Sequence, residues 1–182
     1  MTLTPSIGHA KWDASMDVIL LPSGKKVVVG KERGVETCIG ACLRYFNRKA
    51  AVRAFMLECA SADVTTTLSI FTSVPNAVAG ATRLAVESDD FSSVDLEISD
   101  ITINGAESAH VSVEFKSANT YPNDTTPNDR AALDRLLRIL AEAKREISIA
   151  FGKTKFTMNA RGSTASATKF RDDCASVNEM TN

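Results

Sequence analysis

Several features that mark common protein classes are scarce or missing in this sequence. No apolar run approaches the ~20 residues that a membrane-spanning helix requires, so no transmembrane segment is expected. Basic residues are not in excess, because 21 lysines and arginines stand against 22 acidic residues and the formal net charge is -1. A chain without a global positive field does not hold a polyanion by counterion release. Nucleic acid is therefore not an expected partner.

The beginning of the sequence also lacks a targeting signal. Residues 1–10 have no basic start, no apolar stretch and no small-residue cleavage site, so they do not form a signal peptide. We expect either a cytoplasmic protein or an exported one whose signal peptide has been removed. Residues 1–15 are polar and aperiodic apart from Trp12, which predicts a flexible N-terminal lead-in. The 44% hydrophobic and 24% charged contents are globular averages, and residues 16–182 are predicted to form a single domain.

Motifs for catalysis and phosphate binding are missing as well. There is no G-x-S-x-G motif, and residues 29–34 lack the spacing of a phosphate-binding loop. A cysteine nucleophile would need a nearby imidazole, and the chain has only His9 and His110. The acidic stretch 87–100 lacks the spacing of a calcium loop. We predict no catalytic residue, no metal and no cofactor. A carboxylate pair for glycoside hydrolysis stays open, because the separation of two carboxylates is a spatial property.

The sequence does have an even set of cysteines, namely Cys38, Cys42, Cys59 and Cys174. Four thiols admit three fully paired connectivities, and two disulfides in an exported protein are the favoured interpretation. Cys38 and Cys42 have C-x3-C spacing, whereas thioredoxin-like motifs and most zinc knuckles use C-x2-C. The alternative is a zinc site formed by the four thiolates in a cytoplasmic domain.

Period-two alternation and turn residues predict a chain rich in β-strands. The predicted strands are residues 18–21, 26–29, 42–46, 52–57, 65–71, 94–98, 101–103, 110–115, 147–151 and 155–158. Residues 42–46 and 52–57 are expected to form a hairpin. If Tyr45 lies opposite Val52, the same register places Cys38 opposite Cys59, at a separation that a disulfide tolerates.

Two helices are predicted near the C-terminus. The first begins at Thr126 as the cap, with Pro127 at the first helical position. Its apolar stripe repeats with helical spacing and consists of Leu133, Leu136, Leu137 and Leu140. The second opens near Ser163, whose hydroxyl is expected to cap it, and turns Cys174 inward. The predicted class is α+β, mainly antiparallel β sheet or sandwich with two helices near the C-terminus.

One group of residues suggests a binding surface. Basic and aromatic side chains cluster around the predicted 42–57 hairpin, namely Arg44, Tyr45, Arg48, Lys49 and Arg53. Another protein is the partner that such a surface suggests. The alternative is that these are ordinary solvated charges at the edge of a sheet. The oligomeric state is left open.

The layout of the chain resembles a known family. A segment from Cys38 to Cys59, β runs and a leucine-rich helix precede a tail that reads Gly162-Ser-Thr-Ala-Ser-Ala-Thr-Lys-Phe-Arg-Asp-Asp-Cys174. This pattern resembles the invasion-associated locus B group of small exported proteins from Gram-negative bacteria, although the missing signal peptide departs from it. The resemblance implies a non-enzymatic, β-rich envelope or secreted protein. Some members of that group are linked to host-cell entry, and the group defines no catalytic residues.

We therefore expect a non-enzymatic exported domain, periplasmic or secreted, with a binding or structural role. The first alternative is a cytoplasmic zinc-stabilised or regulatory domain, and the second is a small hydrolase.

Overall fold

The structure is a computed structural model that describes residues 11–20, 26–29, 40–59, 66–115 and 128–181. The side chains of residues 17–20, 26–29 and 177–181 are not part of that description. Antiparallel sheets and three helices make up the described chain, which confirms the α+β class. The helices are α1 (Pro75–Val78), α2 (Arg130–Glu142) and α3 (Ser163–Thr181).

Two sheets form the body of the fold. The larger sheet contains β1 (Lys11–Ser15), β4 (Ala41–Phe46), β5 (Val52–Cys59), β6 (Thr66–Thr72), β9 (Asp100–Asn104) and β10 (Ser108–Phe115). Its strand order is β1-β4-β5-β6-β10-β9. The smaller sheet contains β7 (Arg83–Ser88), β8 (Ser93–Glu97), β11 (Glu146–Phe151) and β12 (Thr154–Asn159), in the order β12-β11-β7-β8. The predicted first hairpin is confirmed as a separate pair, β2 (Asp17–Leu20) with β3 (Lys26–Val29).

Alternation along the strands builds one core from both sheets. In β6 the even-numbered residues Leu68 and Ile70 are fully buried, while the odd-numbered Ser69 and Phe71 are half-buried. In the smaller sheet Ile147 and Ile149 of β11 are likewise fully buried. These side chains belong to a single hydrophobic cluster that includes the buried faces of α2 and α3. On the opposite face of the larger sheet, Cys42 and Met56 form a second, small buried cluster.

The start of α2 differs from its prediction. Asp129, not Thr126, is the N-cap, and its carboxylate accepts a hydrogen bond from the backbone N–H of Ala132 at 2.8 Å. An aspartate at this position satisfies an N–H that has no partner within the helix, so the helix can begin there. Thr126 and Pro127 lie outside the described residues. The predicted leucine stripe is present, with Leu136 and Leu140 fully buried.

The second predicted helix begins at Ser163 as expected, but its capping prediction is wrong. The backbone carbonyl of Gly162 accepts from the N–H of Ser166 at 3.2 Å, which makes Gly162 the residue at the cap. The Ser163 hydroxyl is buried and has no hydrogen-bond partner. The side chain faces the core instead of the open backbone N–H groups. Ala167 and Phe170 share the buried face of α3, as the spacing predicts.

The register of the β4–β5 hairpin also differs from the prediction. Tyr45 lies opposite Phe55, not Val52, and Ala41 lies opposite Cys59. The connection between the strands is longer than four residues, because the N–H of Asn47 donates to the carbonyl of Arg53 at 2.9 Å. Residues 47–51 connect the two strands, and the bulge between Val52 and Ala54 lies in the pairing of β5 with β6. The predicted pairing of Cys38 with Cys59 therefore loses its geometric basis.

Cys59 forms its disulfide with Cys174, across 115 residues of sequence, with 5.7 Å between the two Cα atoms. The bond ties α3 to the larger sheet. Cys42 is also disulfide-bonded. Cys38 lies outside the described residues. The prediction of disulfides is thus confirmed for Cys59 and Cys174, while the pairing of Cys59 with Cys38 is wrong.

The prediction of a flexible lead-in over residues 1–15 is wrong for Lys11–Ser15, which form β1 at the edge of the larger sheet. Trp12 lies in the core with 4% of its surface exposed, and its indole N–H donates to the carbonyl of Asn159 at 2.6 Å. Burial of this large aromatic ring, with its indole N–H satisfied, and pairing along β4 hold the short strand in place. Residues 1–10 lie outside the described residues.

Candidate functional site

The structure separates the residues of the predicted basic surface. The Tyr45 side chain lies in the core, 1% exposed, with its ring centroid 5.0 Å from that of Trp12. Arg44 lies on the opposite face of the larger sheet, 2% exposed and directly across from Asp13 of β1. Only Arg48, Lys49 and Arg53 are exposed together, at the end of the β4–β5 hairpin. The exposed part of the predicted surface therefore consists of two arginines and one lysine, without the tyrosine.

A different region has the form of a binding site. A cleft of about 260 Å³ opens on the polar face of the smaller sheet, where the β7–β8 hairpin meets β11 and β12. We call it the Phe91 cleft, and its lining residues are Glu87, Ser88, Asp89, Phe91, Ser93, Glu146, Ser148 and Lys155. Small side chains at the centre of the sheet leave this space open.

The strand register explains how these side chains come together. Glu87 of β7 lies opposite Ser93 of β8 on one side and Ser148 of β11 on the other, so all three point away from the core. The next row places Ala150 opposite Lys155. Because Ala150 is short, the Lys155 ammonium reaches across it to Glu87, with 2.6 Å between Nζ and Oε2.

Phe91 is the most unusual residue of the cleft. Its side chain is 95% exposed, although a phenylalanine ring is among the most costly groups to leave in water. Its backbone has φ +68°, and among the described residues it is the only non-glycine with a positive φ. A bulky residue in the left-handed region is strained, because its Cβ approaches the following carbonyl. Two unfavourable features therefore coincide at one residue.

The turn around Phe91 explains its conformation. The N–H of Phe91 donates to the carbonyl of Ser88 at 3.1 Å, and the N–H of Ser88 donates to the carbonyl of Ser92 at 3.0 Å. A turn followed by one left-handed residue is a common way to close a short hairpin, and glycine is the usual residue there. Asp90 reinforces the turn by accepting hydrogen bonds from the Ser88 hydroxyl and from the N–H of Ser92. The turn is thus well specified by its polar residues, and Phe91 occupies the position of glycine.

Carboxylates give the cleft its charge. Asp89 accepts a hydrogen bond from the backbone N–H of Lys144 at 2.9 Å, and this bond is the main reason why its pKa is lowered. Burial opposes that effect. The pKa of the neighbouring Asp90 is also lowered, chiefly by the Ser88 hydroxyl. Both aspartates are therefore ionised at neutral pH.

The charges of the lining do not balance. Three carboxylates, from Glu87, Asp89 and Glu146, line the cleft together with one ammonium, from Lys155. The formal charge of the lining is therefore -2. Arg145 lies near Asp89, with 3.6 Å between its Nε and the Oδ2 of Asp89, but the arginine side chain is 85% exposed. Such a solvated pair contributes little attraction.

A second cleft lies between α2 and α3, with a volume of about 400 Å³. Its charged lining residues are two acids and two arginines, namely Asp134, Glu142, Arg138 and Arg171. These charges cancel, and the one apolar lining residue is Ala141. This cleft therefore offers no net charge and no aromatic contact.

His110 is a half-buried residue of β10 in the larger sheet. Its imidazole stacks on the ring of Phe71, with 4.5 Å between centroids and 14° between planes. Its Nε2 atom is buried and has no hydrogen-bond partner, and burial lowers the pKa of the imidazole while Asp100 partly opposes this. Cys59 and Cys174 are bonded to each other, so neither is a thiolate nucleophile or a zinc ligand. His9 lies outside the described residues.

Within the described residues, no group of three or more histidine, cysteine, aspartate and glutamate side chains is placed to hold a metal ion. None of the described helices combines the length and the apolar character needed to cross a membrane.

Comparison of the chain with protein-family models, with curated proteins and with solved structures finds no match.

Sequence reasoning missed the Phe91 cleft, although the sequence contains a signal for it. Residues 88–93 read Ser-Asp-Asp-Phe-Ser-Ser, which is a turn composition interrupted by one large aromatic residue. An aromatic side chain within a polar turn has no strand neighbour to pack against. Such a residue is a candidate for an exposed contact.

Proposed function

We propose that the protein is an exported, disulfide-stabilised binding domain that performs no catalysis and engages another protein through the Phe91 cleft. The observation that carries this proposal is the exposed Phe91 ring, held in a left-handed backbone conformation beside an open cleft.

The energetics of Phe91 favour a contact residue. Burying a phenylalanine side chain contributes roughly 1.5–3 kcal/mol, and the isolated domain does without this contribution. Backbone strain of order 1–3 kcal/mol per residue is concentrated at functional sites in proteins. A partner that covers the ring would recover the missing burial. A few residues, many of them aromatic, carry most of the binding free energy of a typical protein interface.

The disulfides support the exported location. Disulfide bonds persist in oxidising compartments and are rare in the cytosol. The Cys59–Cys174 bond, together with the disulfide at Cys42, supports an extracytoplasmic domain over a zinc-stabilised cytoplasmic one. The resemblance to the invasion-associated locus B group agrees with this location and remains a proposal. No observation favours the hydrolase alternative.

Site-specific photo-crosslinking tests the binding proposal. The photoreactive residue p-benzoylphenylalanine would replace Phe91 in cells that naturally make the protein, and Lys153 would be the matched control because it lies in the exposed β11–β12 turn of the same sheet. We expect an adduct with a protein partner at position 91 and none at position 153. The purified partner should then bind the Phe91→Ala variant at least about tenfold more weakly, a loss of about 1.4 kcal/mol. Equal crosslinking at both positions, or unchanged affinity of the variant, would overturn the proposal.

Thiol mapping tests the location separately. Protein purified from its natural source under alkylating conditions should show no reaction at Cys59 and Cys174 before reduction. Alkylation of both cysteines in native protein would contradict export to an oxidising compartment.

A further inference from the structure

We infer that the Phe91 cleft receives an arginine side chain of the protein partner, whose apolar neighbours contact the ring of Phe91. This inference rests on the proposed function and specifies the chemistry of the partner.

The net charge of the lining is the first argument. Three carboxylates face the cleft, and the Lys155 ammonium is already paired with one of them, Glu87. Asp89 accepts a hydrogen bond from the backbone N–H of Lys144 and also lies 3.6 Å from Arg145, whereas among the described residues no cation pairs with Glu146. The carboxylate of Glu146 is therefore available to a cation, in a lining whose formal charge is -2. An anionic ligand or an anionic lipid surface would be repelled.

The polar surroundings of the carboxylates are the second argument. Ser93 and Ser148 flank Glu87 on the same face, so their hydroxyls can accept hydrogen bonds from a bound donor. The guanidinium group of arginine has five N–H donors in a planar arrangement that matches carboxylates. The ammonium group of lysine has three donors and no planar face. A cleft with several acceptors and an adjacent aromatic ring fits arginine better than lysine, because guanidinium also stacks on aromatic faces.

The size of the cleft is the third argument. Its volume of about 260 Å³ is below the roughly 300–1,000 Å³ of typical small-molecule sites. It is open to solvent next to a fully exposed ring, so it suits one side chain presented by a larger surface. Phe91 would anchor the apolar part of that surface, and the carboxylates would select the cationic side chain.

A peptide titration followed by NMR tests the inference. The probes are acetyl-Leu-Arg-Leu-amide and its citrulline analogue, which has the same shape without the charge. At millimolar peptide we expect the arginine probe to shift the amide signals of residues 87–93 and 146–148, and to bind at least about fivefold more tightly than the citrulline probe. Added salt should reduce this preference, because it screens the interaction between exposed charges.

Two matched variants test whether the carboxylates of the cleft are the ones that attract the arginine probe. The Glu146→Gln variant removes one carboxylate from the cleft, and Glu97→Gln removes one exposed carboxylate of the same sheet outside it. We expect the first to weaken binding of the arginine probe at least about threefold, and the second to leave it unchanged. Equal effects of both variants would reduce the interaction to general electrostatics and overturn the inference.

Other outcomes distinguish this inference from the proposed function. Equal binding of the arginine and citrulline probes would overturn the inference, while a position-specific crosslink at Phe91 would still support a protein-binding role. Spermidine that shifts the same signals with equal or higher affinity would identify a site for free amines instead of a partner's arginine. No shift with either peptide at millimolar concentration would likewise overturn the inference.

Discussion

Removal of the Cys59–Cys174 disulfide should destabilise the protein mainly through its unfolded state. The bond joins residues 115 positions apart, so it closes a loop that spans more than half of the chain. In the chain-entropy model, a loop of this length restricts the unfolded chain by about 5 kcal/mol at 25 °C. Measured losses on removing native disulfides are typically 2–5 kcal/mol, so we expect the Cys59→Ala/Cys174→Ala variant to lose about 3–5 kcal/mol.

The native fold should survive this change. α3 is held independently by Ala167 and Phe170, both fully buried in the core. Guanidinium unfolding of the variant can be followed by the fluorescence of Trp12, the only tryptophan, which lies in the core. The free energy of unfolding should also fall more steeply with guanidinium concentration, because the unfolded chain without the crosslink exposes more surface.

The exposed neighbour Ala175 provides a control position, and Ala175→Ser should change the free energy of unfolding by less than about 0.5 kcal/mol. A loss below about 1 kcal/mol for the double cysteine variant, with an unchanged denaturant dependence, would refute the loop-closure reasoning.

Three further predictions concern single side chains. Phe91→Gly should raise the free energy of unfolding by about 0.5–1 kcal/mol relative to Phe91→Ala, because glycine adopts the left-handed φ without strain; equal denaturation midpoints of the two variants would contradict this. Burial lowers the pKa of His110 below its usual 6.5, so the unfolded chain binds more protons and stability should fall as the pH drops through 6.5 toward the lower folded pKa. His110→Phe should remove this part of the pH dependence, measured by urea unfolding across that range. The lowered pKa of Asp89 contributes stability that is present above 3.8 and lost as the pH falls through the folded pKa, so Asp89→Asn should lose less stability on acidification than the parent protein.

Much of the secondary structure could be predicted from the sequence, because alternation directly encodes a half-buried strand. Strand β10 is an example, because Val111 and Val113 are buried while His110 and Ser112 are half-buried and Glu114 is exposed. Strand β7 was missed although Leu84 and Val86 alternate in it, because its neighbours Ala85 and Ser88 give little contrast between the two faces. The short helix α1 was also missed, since Pro75 and Gly80 together read as the end of a strand. Its four residues are too few for a helical period.

The pairing of the cysteines was not predictable from local pattern. Cys59 and Cys174 are brought together by the packing of α3 on the larger sheet, which depends on contacts between distant parts of the chain. Local hairpin geometry favours a nearby partner, and it suggested Cys38. Four cysteines leave three connectivities, and only the tertiary structure selects among them.

The loss of the predicted basic surface follows from the same hairpin. The predicted register places Tyr45 opposite Val52. The structure places it opposite Phe55, which is a shift of three residues along β5. A shift by an odd number exchanges the two faces of one strand relative to the other. Arg44 and Arg53, which the predicted register places opposite each other, are therefore separated, and Arg44 instead lies opposite Met56. The β7–β8 hairpin is short, and its Asp90 and backbone hydrogen bonds fix the turn without such freedom. A candidate site at a tightly closed hairpin, such as the Phe91 cleft, consequently depends less on register than one inferred across a long connection.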